Sequence, residues 1–346
     1  MRYLLTGHTG FKGAWLALVL LEQGHEVSGL ALDPEPGSLF ERARVAELLG
    51  SDVRADVRDA SAVRAAVDDV APDVVVHLAA QPLVRESYRD PRTTVETNVL
   101  GTFNVLEAVQ AAGGVRASLV VTTDKVYRNV GQAAGYRELD PLGGADPYSA
   151  SKAAADLVTQ SWIASTPRVV PTAIARAGNV VGGGDVCAER LMVDLLDGFA
   201  SGRTVRLRNP AATRPWQHVL DCLHGYLVLV DALLDGRATG QAFNFGPPAA
   251  SCVPVAAVTE RVARLWGPAA VWRSEERAGQ PHEAAVLSLD AGRAEAELGW
   301  RSVLDLDETL RWTVDWTRRV RSGEDAREVT LDQVVAFTSR VGRKAA

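Results

Sequence analysis

Short apolar runs alternate with longer amphipathic stretches over the first half of the chain. Continuous apolar runs of this length are typical of parallel strands buried on both faces. Strands are predicted at 2–6, 26–31, 51–55, 73–80 and 117–121. Helices are predicted at 14–21, 91–112 and 148–166. Strands that alternate with helices indicate an α/β fold, here a Rossmann-type doubly wound parallel sheet.

The pattern changes beyond Pro167, where the predicted elements become shorter. They are a strand at 169–175, a helix at 188–200, a strand at 204–207 and helices at 291–298 and 305–321. The charged tail after Ser322 carries no predicted element. We therefore expect a dinucleotide-binding domain over 1–178 and a smaller mixed α/β substrate domain over 179–346. Some segments of the second domain are expected to return to the first.

Charge and composition exclude several classes of function. A net charge of −6 and a pI near 5.6 argue against a nucleic-acid-binding surface. No apolar run reaches the roughly 18 residues of a membrane span. The start of the chain passes straight into a strand and lacks a secretory cleavage site. Three scattered cysteines form neither a disulfide framework nor a metal cluster. We expect a cytoplasmic protein without metal.

The first strand leads into a glycine-rich turn, Gly7-His8-Thr9-Gly10-Phe11-Lys12-Gly13. A strand, a glycine turn and a helix in succession are the context of a dinucleotide-binding motif. The glycines permit the tight turn, the approach of backbone to the pyrophosphate and the packing of helix on strand. His8 and Lys12 either add a donor or charge near the pyrophosphate or are solvated surface residues.

The adenosine end is predicted from two acidic positions. Asp33 follows the second strand, where a carboxylate accepts hydrogen bonds from the ribose and favours NAD over NADP. It could instead begin a turn at 33–37. Asp56 follows the third strand and is placed to meet the adenine, whereas Asp59 could equally cap the next helix.

The predicted chemistry lies in two segments, Thr122-Thr123-Asp124-Lys125 and Tyr148-Ser149-Ala150-Ser151-Lys152. Tyrosine and lysine four residues apart share one face of a helix. A nearby ammonium favours the phenolate, which can then take the proton of a sugar hydroxyl. The alternative for Asp124 and Lys125 is a surface ion pair.

Lysine is rare in this chain. Of the 37 lysines and arginines, only Lys12, Lys125, Lys152 and Lys344 are lysines. Three of these lie in the motifs above. Lysine has a tunable pKa and arginine does not, so lysine could have been kept where that property is needed. Coincidence is the alternative.

Arginines and aromatics cluster in the second half, at 208–210 and 214–218. Arginine pairs strongly with phosphate, and an aromatic ring can cover a base or sugar. The loop at 81–85 is expected at the carboxyl edge of the sheet, where ligands bind in such folds.

With these motifs in view, the chain resembles the extended short-chain dehydrogenase/reductase superfamily, and within it the CDP-glucose 4,6-dehydratases. The residues that carry the likeness are those at 7–13, 79–85, 122–125, 143–148, 176–179, 208–210, 214–218, 282–284 and 298–300. Arg128, Val186 and the absence of tryptophan at 130–134 depart from the family pattern. They bear on sugar and nucleotide preference rather than on reaction type.

The resemblance implies NAD as cofactor, a nucleotide-diphosphate hexose, CDP-glucose first, as substrate, and a homodimer through the helices at 91–112 and 148–166. It implies oxidation at carbon 4, loss of water across carbons 5 and 6 and return of hydride to carbon 6. Tyr148 would be the base, Lys152 would lower its pKa, and Thr123 would hold the carbon-4 oxygen. Asp124 would protonate the leaving hydroxyl and Lys125 would handle the carbon-5 proton.

The resemblance also implies a set of ligand contacts. Expected cofactor contacts are Gly7, His8, Thr9, Gly10, Phe11, Lys12, Gly13, Asp33, Asp56, Val57, Leu78, Ala79, Ala80, Gln81, Asn98, Thr122, Tyr148, Lys152 and Arg176. Expected substrate contacts are Gln81, Leu83, Arg85, Thr123, Asn179, Arg190, Arg208, Arg214, Trp216, Gln217, His218, His282 and Glu283.

Three other functions fit the same fold. A dehydratase for another nucleotide-hexose differs only in base or sugar preference. A nucleotide-sugar epimerase needs the oxidation at carbon 4 but no acid for a departing hydroxyl, so Asp124 and Lys125 argue against it. A non-catalytic protein that senses NAD is disfavoured by the intact Thr123, Tyr148 and Lys152. Fold alone does not separate these functions.

Overall fold

The structure, a computed structural model, describes residues 1–132, 134–275 and 287–345. Its strands are β1 (Arg2–Thr6), β2 (Glu26–Ala31), β3 (Ser51–Arg54), β4 (Val74–His77), β5 (Ala117–Val121), β6 (Thr172–Ala177), β7 (Asn179–Val181), β8 (Val205–Leu207), β9 (Thr213–His218), β10 (Ala242–Phe245), β11 (Cys252–Pro254) and β12 (Trp272–Ser274).

The helices are α1 (Phe11–Glu22), α2 (Leu39–Arg42), α3 (Ala60–Val70), α4 (Val84–Arg89), α5 (Pro91–Val95), α6 (Gly101–Ala111), α7 (Pro147–Ser165), α8 (Leu191–Ala200), α9 (Val219–Leu234), α10 (Val255–Trp266), α11 (Gly292–Leu298), α12 (Leu306–Arg321) and α13 (Ala326–Ala345). A π-helical turn, Glu96–Leu100, joins α5 to α6. Among the residues described, no helix is long and apolar enough to span a membrane.

Seven parallel strands form the main sheet in the order β10-β6-β5-β4-β1-β2-β3. The predicted doubly wound parallel sheet is therefore confirmed. The apolar strands β4, β5 and β6 are buried along their whole length, as expected for a sheet covered on both faces. Strand order reverses between β1 and β4, and ligands bind at the carboxyl ends of strands at such a reversal.

Two smaller sheets, β11-β9-β7 and β12-β8, stand beside the carboxyl edge of the main sheet. They share an apolar cluster with α8, α10 and α12, whose largest members are Phe199 and Trp216. The chain also returns from this region to the main sheet, because β10 pairs with β6 and α9 packs on β5 and β6.

Two strand boundaries differ from the prediction for identifiable reasons. The strand expected at 73–80 ends at His77, because the Thr6 hydroxyl accepts the amides of Leu78 and Ala79 and turns the chain away from the ladder. The strand expected at 169–175 begins only at Thr172, directly after Pro171, which has no N–H for a ladder.

Several elements were missed by the sequence prediction, among them α9, β10 and α13. α9 and β10 lie in a stretch that was left without elements, and α9 is so uniformly apolar that it has no amphipathic period. The tail after Ser322 is a helix, α13, whose Val329, Val334 and Phe337 are buried against the body of the protein.

Candidate active site

A large cavity of about 1690 Å³ opens at the carboxyl ends of the central strands. The glycine turn and the chain after β4 form one wall, and the segments around β8 and β9 form another. The two predicted catalytic segments lie between these walls, since Thr123, Lys125, Tyr148 and Lys152 all line the cavity. The topology therefore brings together residues that are far apart in sequence.

Fifteen of the nineteen predicted cofactor contacts line this cavity. They are Gly7, Thr9, Gly10, Phe11, Lys12, Gly13, Asp56, Val57, Leu78, Ala79, Ala80, Gln81 and Thr122, with Tyr148 and Lys152 in addition at the catalytic end. The remaining four, His8, Asp33, Asn98 and Arg176, do not.

The glycine turn is built so that side chains are excluded from it. Gly7 has a φ of +76°, and a Cβ there would lie 2.7 Å from the Ala79 nitrogen. A Cβ on Gly13 would lie 2.2 Å from the Gly7 carbonyl oxygen. The turn is thus packed against the chain that follows β4, and the first residues of α1 line the cavity. This arrangement suits the pyrophosphate of a dinucleotide.

Replacing Gly13 by alanine is expected to abolish NAD binding and to lower the melting temperature, because backbone blocks the new methyl group. The matched control is Gly342→Ala on α13, where an added Cβ meets nothing within 4 Å. Alanine there gains helix propensity and is expected to leave NAD affinity unaltered. Calorimetric titration with NAD and thermal denaturation measure both effects. Tight NAD binding by Gly13→Ala would contradict this role for the turn.

His8 does not contact the cavity, which corrects the prediction. Its side chain is fully buried, and its Nε2 lies 2.7 Å from Asp52 Oδ1. Gly29 on β2 leaves room for the imidazole, since a Cβ there would lie 2.1 Å from the ring. Burial lowers the pKa of His8, which is therefore neutral at pH 7. His8 therefore connects the glycine turn to β2 and β3, which carry Gly29 and Asp52.

The adenosine end is only partly as predicted. Asp56 and Val57 line the cavity, whereas Asp33 is exposed and its neighbour Leu32 lines the cavity instead. The Arg58 guanidinium donates to Asp56 Oδ2 at 2.7 and 2.9 Å, and this hydrogen bonding lowers the pKa of Asp56. Asp59 caps α3 by accepting two backbone amides, so the capping interpretation is correct for Asp59.

Asn98 supports the cavity wall from behind. It lies fully buried in the π-helical turn, accepts the Gln81 amide at 2.8 Å and donates to the Gln81 carbonyl at 3.1 Å. It also donates to Ser151 Oγ on α7 at 2.8 Å. Asn98 is therefore a positioning residue and not the predicted cofactor contact. It connects the Gln81 loop to the helix that carries Tyr148.

Arg176 is likewise buried beneath the site rather than in it. Its guanidinium donates to both carboxylate oxygens of Asp156 at 2.7 and 2.8 Å, and to Tyr127 Oη at 2.9 Å. Thr122 donates to the same carboxylate at 3.1 Å. A bidentate pair of this kind is strong and directional. It joins α7, β6 and the segment that carries Thr123 into one unit.

Thr123, Asp124 and Lys125 form a compact hydrogen-bonded group after β5. The Thr123 hydroxyl and the Lys125 ammonium each lie 2.9 Å from Asp124 Oδ1. Asn179 Oδ1 lies 3.4 Å from the Lys125 nitrogen. Asp124 is fully buried, and its Oδ2 has no hydrogen-bond partner. That oxygen lies behind Gly178, where an added Cβ would approach it to 3.2 Å. The surface ion pair considered from sequence is thus excluded.

Tyr148 and Lys152 project from the first turns of α7, which Asp146 caps by accepting the Ser149 amide. Burial raises the pKa of Tyr148, while the positive charge of Lys125 and a hydrogen bond with Thr123 lower it. Lys152 donates to the Val121 carbonyl at 2.8 Å. In this structure Lys125 is the largest influence that favours the phenolate, and the effect of Lys152 on Tyr148 stays a prediction.

The substrate end contains most of the predicted contacts. Those that line the cavity are Gln81, Leu83, Arg85, Thr123, Asn179, Arg190, Arg208, Arg214 and Trp216. Arg128, one of the departures from the family pattern, lines it as well. His282 and Glu283 lie outside the described residues.

The predicted substrate contacts Gln217 and His218 are wrong, because both side chains are buried and neither lines the cavity. His218 accepts the Leu220 amide through Nδ1 and lies edge-on between the rings of Trp15 and Trp312, at 6.1 and 5.7 Å. Burial lowers the pKa of His218 to about 3. It is a core histidine at the start of α9.

Glu189 and Arg206 also line the cavity and were not predicted from the sequence. Glu189 has a φ of +66° and lies 3.8 Å from Arg85 and 3.6 Å from Arg89 across the cleft. Arg206 pairs with Glu275 at 2.8 Å. The alternation of apolar and polar residues in β8 could have indicated Arg206 from the sequence, whereas no local pattern indicates Glu189.

Comparisons with known proteins agree with this geometry. The family model described as GDP-mannose 4,6 dehydratase matches residues 4–313. The chain is 42% identical over 333 residues to a CDP-glucose 4,6-dehydratase of Salmonella typhimurium (strain LT2), covering 94% of this chain and 92% of that relative.

Solved structures show the same fold. A dTDP-glucose 4,6-dehydratase from Streptomyces venezuelae with NAD bound superposes with a TM-score of 0.80 at 28% identity, covering 94% of this chain and all of the other. A UDP-glucose 4-epimerase from Stenotrophomonas maltophila with NAD bound reaches 0.82 at 24% identity over the same share of each chain. The fold alone therefore does not separate dehydratase from epimerase. The family match and the 42% identity do, and the chain belongs to the nucleotide-sugar 4,6-dehydratases of the extended short-chain dehydrogenase/reductase superfamily.

Proposed function

We propose that the protein is an NAD-dependent CDP-glucose 4,6-dehydratase that forms CDP-4-keto-6-deoxy-glucose. The observation that carries this proposal is that Thr123, Lys125 and Tyr148 line one cavity, with Lys125 hydrogen-bonded to Asp124, which is buried directly behind them. Epimerisation requires a base at carbon 4 but has no use for a coupled acid and amine. The identity to a CDP-glucose 4,6-dehydratase supports the choice of substrate.

The cavity suits NAD, since Gly7 and Gly13 leave no space for a side chain and the glycine turn lines the cleft. The turn would hold the pyrophosphate, Asp56 and Val57 the adenosine, and Ala79 to Gln81 the nicotinamide half. When bound, NAD supplies the acceptor of the carbon-4 hydride and the donor to carbon 6. NAD would therefore be in its oxidised form again at the end of each turnover.

Oxidation at carbon 4 requires that the sugar hydroxyl lose its proton as the hydride leaves. Tyr148 Oη is the proposed acceptor of that proton. Thr123 is within hydrogen-bond reach of Tyr148 and would hold the carbon-4 oxygen. The positive charges of Lys125 and Arg190 lower the pKa of Tyr148 against the opposing effect of burial. The keto group that results makes the carbon-5 proton acidic.

Elimination then requires a base for the carbon-5 proton and an acid for the carbon-6 hydroxyl. A proton shared along the 2.9 Å hydrogen bond from Lys125 to Asp124 gives an amine and a carboxylic acid. The amine takes the carbon-5 proton and the acid gives its proton to the departing hydroxyl, so one water leaves and both groups regain their charges.

The rate is expected to fall on the alkaline side. Burial, followed by the positive charge of Lys12, lowers the pKa of Lys152 to about 8. Its positive charge is thus present below pH 8 and is lost as the pH rises through that value. We expect kcat to decline with an apparent pKa near 8, measured by product formation in a series of buffers. In Lys152→Met the remaining activity should lack that decline. A decline of equal midpoint in that variant would assign it to another group.

The substrate assignment is tested with CDP-, UDP-, GDP- and dTDP-glucose at a fixed concentration of NAD. The proposal predicts that kcat/KM for CDP-glucose exceeds each of the others by at least tenfold, and that a 4-keto-6-deoxy sugar is formed. Dehydration of another nucleotide-glucose at the higher rate would keep the reaction and replace the base. Epimerised sugar without water loss would overturn the function.

We further propose that the enzyme is a homodimer formed through the face shared by α5, α6 and α7. Apolar side chains on this face are open to solvent: Val95 is 45%, Leu100 53% and Leu157 53% exposed. Phe103 and Trp162 lie edge-to-face at 5.4 Å between the two helical segments and connect these residues into one apolar surface. A second copy of the chain would cover this surface with its own equivalent helices, as a two-fold interface requires.

Leu100→Glu combined with Leu157→Glu is expected to yield a folded monomer, because the two carboxylates would be buried in the interface. Light scattering coupled to size exclusion measures the mass, which should fall by half relative to the wild type. The control is Val335→Glu, an exposed apolar position on α13 that is 50% accessible. A wild-type monomer, or a double variant that remains dimeric, would contradict this interface.

The three cysteines favour a reducing compartment. Cys187, Cys222 and Cys252 are all unpaired thiols. Disulfides are rare in the cytosol and common in secreted proteins. This supports the proposal that the enzyme acts in the cytoplasm.

A further inference from the structure

Lys12 is a half-buried cation in the wall of the cavity that the glycine turn forms. Its Nζ donates to Tyr226 Oη at 3.1 Å and lies 5.6 Å from the centroid of the same ring. In the described ranges 1–132, 134–275 and 287–345, no carboxylate forms an ion pair with it. A cation that the protein itself does not neutralise, in the wall of a binding cleft, is complementary to an anion.

Tyr226 is arranged to accept that hydrogen bond. It is fully buried on α9 and is held edge-to-face against Phe245 at 5.9 Å. Its own hydroxyl is hydrogen-bonded to the buried Cys222, an interaction that together with burial keeps the pKa of Tyr226 well above its ordinary value. The phenol therefore stays neutral, donates toward the thiol and presents its lone pairs to Lys12.

We propose that Tyr226 is a positioning residue. Its buried phenol holds the Lys12 ammonium in the wall of the cleft, where this fixed positive charge binds the pyrophosphate of NAD. This inference rests on the proposed function for the identity of the anion. The backbone amides of the glycine turn bind phosphate without net charge. Lys12 adds the charge, and Tyr226, from a helix more than 200 residues later in the chain, sets where that charge lies.

The positive charge of Lys12 also influences the catalytic end of the cavity. After burial, Lys12 is the largest influence that lowers the pKa of Lys152, so the two ammonium groups interact within one cavity. The carboxylate of Asp156 raises the pKa of Lys152 and so acts in the opposite direction. A pyrophosphate bound at Lys12 would therefore offset the repulsion between the two lysines.

Direct titration of NAD into wild type, Tyr226→Phe, Lys12→Met and the double variant tests the proposal without any turnover. Lys12→Met should weaken NAD binding by about 10- to 100-fold, as expected for loss of a charge-assisted contact. Tyr226→Phe keeps the ring and loses only the acceptor oxygen, so we expect a weakening of roughly 3- to 10-fold. The double variant should bind like Lys12→Met alone, because Tyr226 acts only through Lys12.

Tyr3→Phe is the matched control, since it also removes a buried phenol oxygen but lies on β1 outside the cavity lining. Its NAD affinity should equal that of the wild type. Equal affinity of wild type and Tyr226→Phe, or an additive loss in the double variant, overturns the proposal, whatever happens to the melting temperature. Failure of the wild type to bind NAD at all overturns the proposed function instead.

Discussion

Replacing Tyr148 by phenylalanine is expected to lower the rate of carbon-4 oxidation by roughly 100- to 10,000-fold, the usual contribution of a positioned general base. The phenol is buried in the cavity among Thr123, Lys125 and Arg190. Because oxidation precedes elimination, water loss should fall by the same factor. Absorbance at 340 nm in a single turnover measures the first step, and product formation measures the second.

NAD affinity separates chemistry from folding in this variant. The phenylalanine ring keeps the packing of Tyr148 at the start of α7, so the dissociation constant for NAD should change by less than tenfold. Tyr3→Phe again serves as the control for removal of a buried hydroxyl. Oxidation at the wild-type rate by Tyr148→Phe would show that another group takes the carbon-4 proton.

Replacing Lys125 by methionine should stop the reaction after oxidation. The amine that takes the carbon-5 proton is lost, and Asp124 loses the donor that lies 2.9 Å away. We expect water loss to fall by roughly 100- to 10,000-fold. Absorbance at 340 nm should then persist instead of decaying. Oxidation itself should slow at neutral pH and recover at higher pH, because the variant also loses the charge that lowers the pKa of Tyr148.

Lys125→Arg distinguishes these two roles. A guanidinium keeps the positive charge beside Tyr148 but does not release its proton near neutral pH. Oxidation should therefore continue close to the wild-type rate, while elimination stays as low as in Lys125→Met. Unchanged dehydration by either variant would refute the assignment of Lys125 to the carbon-5 proton.

The parts of the site that could be predicted from sequence are those set by local spacing. The glycine turn follows β1 directly, and Tyr148 and Lys152 are one turn apart on a helix, so the chain itself brings their groups together. The segment at Thr123 was placed correctly because it follows a buried strand, and the carboxyl ends of parallel strands share one edge.

The parts that could not be predicted depend on neighbours from distant segments. His8 and Arg176 are polar residues inside ligand-binding motifs, yet each points into the protein. The cause lies elsewhere in the chain, in the space left by Gly29 and in the carboxylate of Asp156. The return of β10 to the sheet and the partnership of Lys12 with Tyr226 are also long-range contacts that no local pattern reports.

The most direct test of the central claim is incubation of the protein with NAD and CDP-glucose in heavy water, followed by mass spectrometry and proton NMR of the sugar. We expect loss of one water and incorporation of deuterium at carbon 5, since Lys125 exchanges its proton with solvent. A sugar that keeps its oxygen at carbon 6 and changes only its configuration at carbon 4 would contradict that claim.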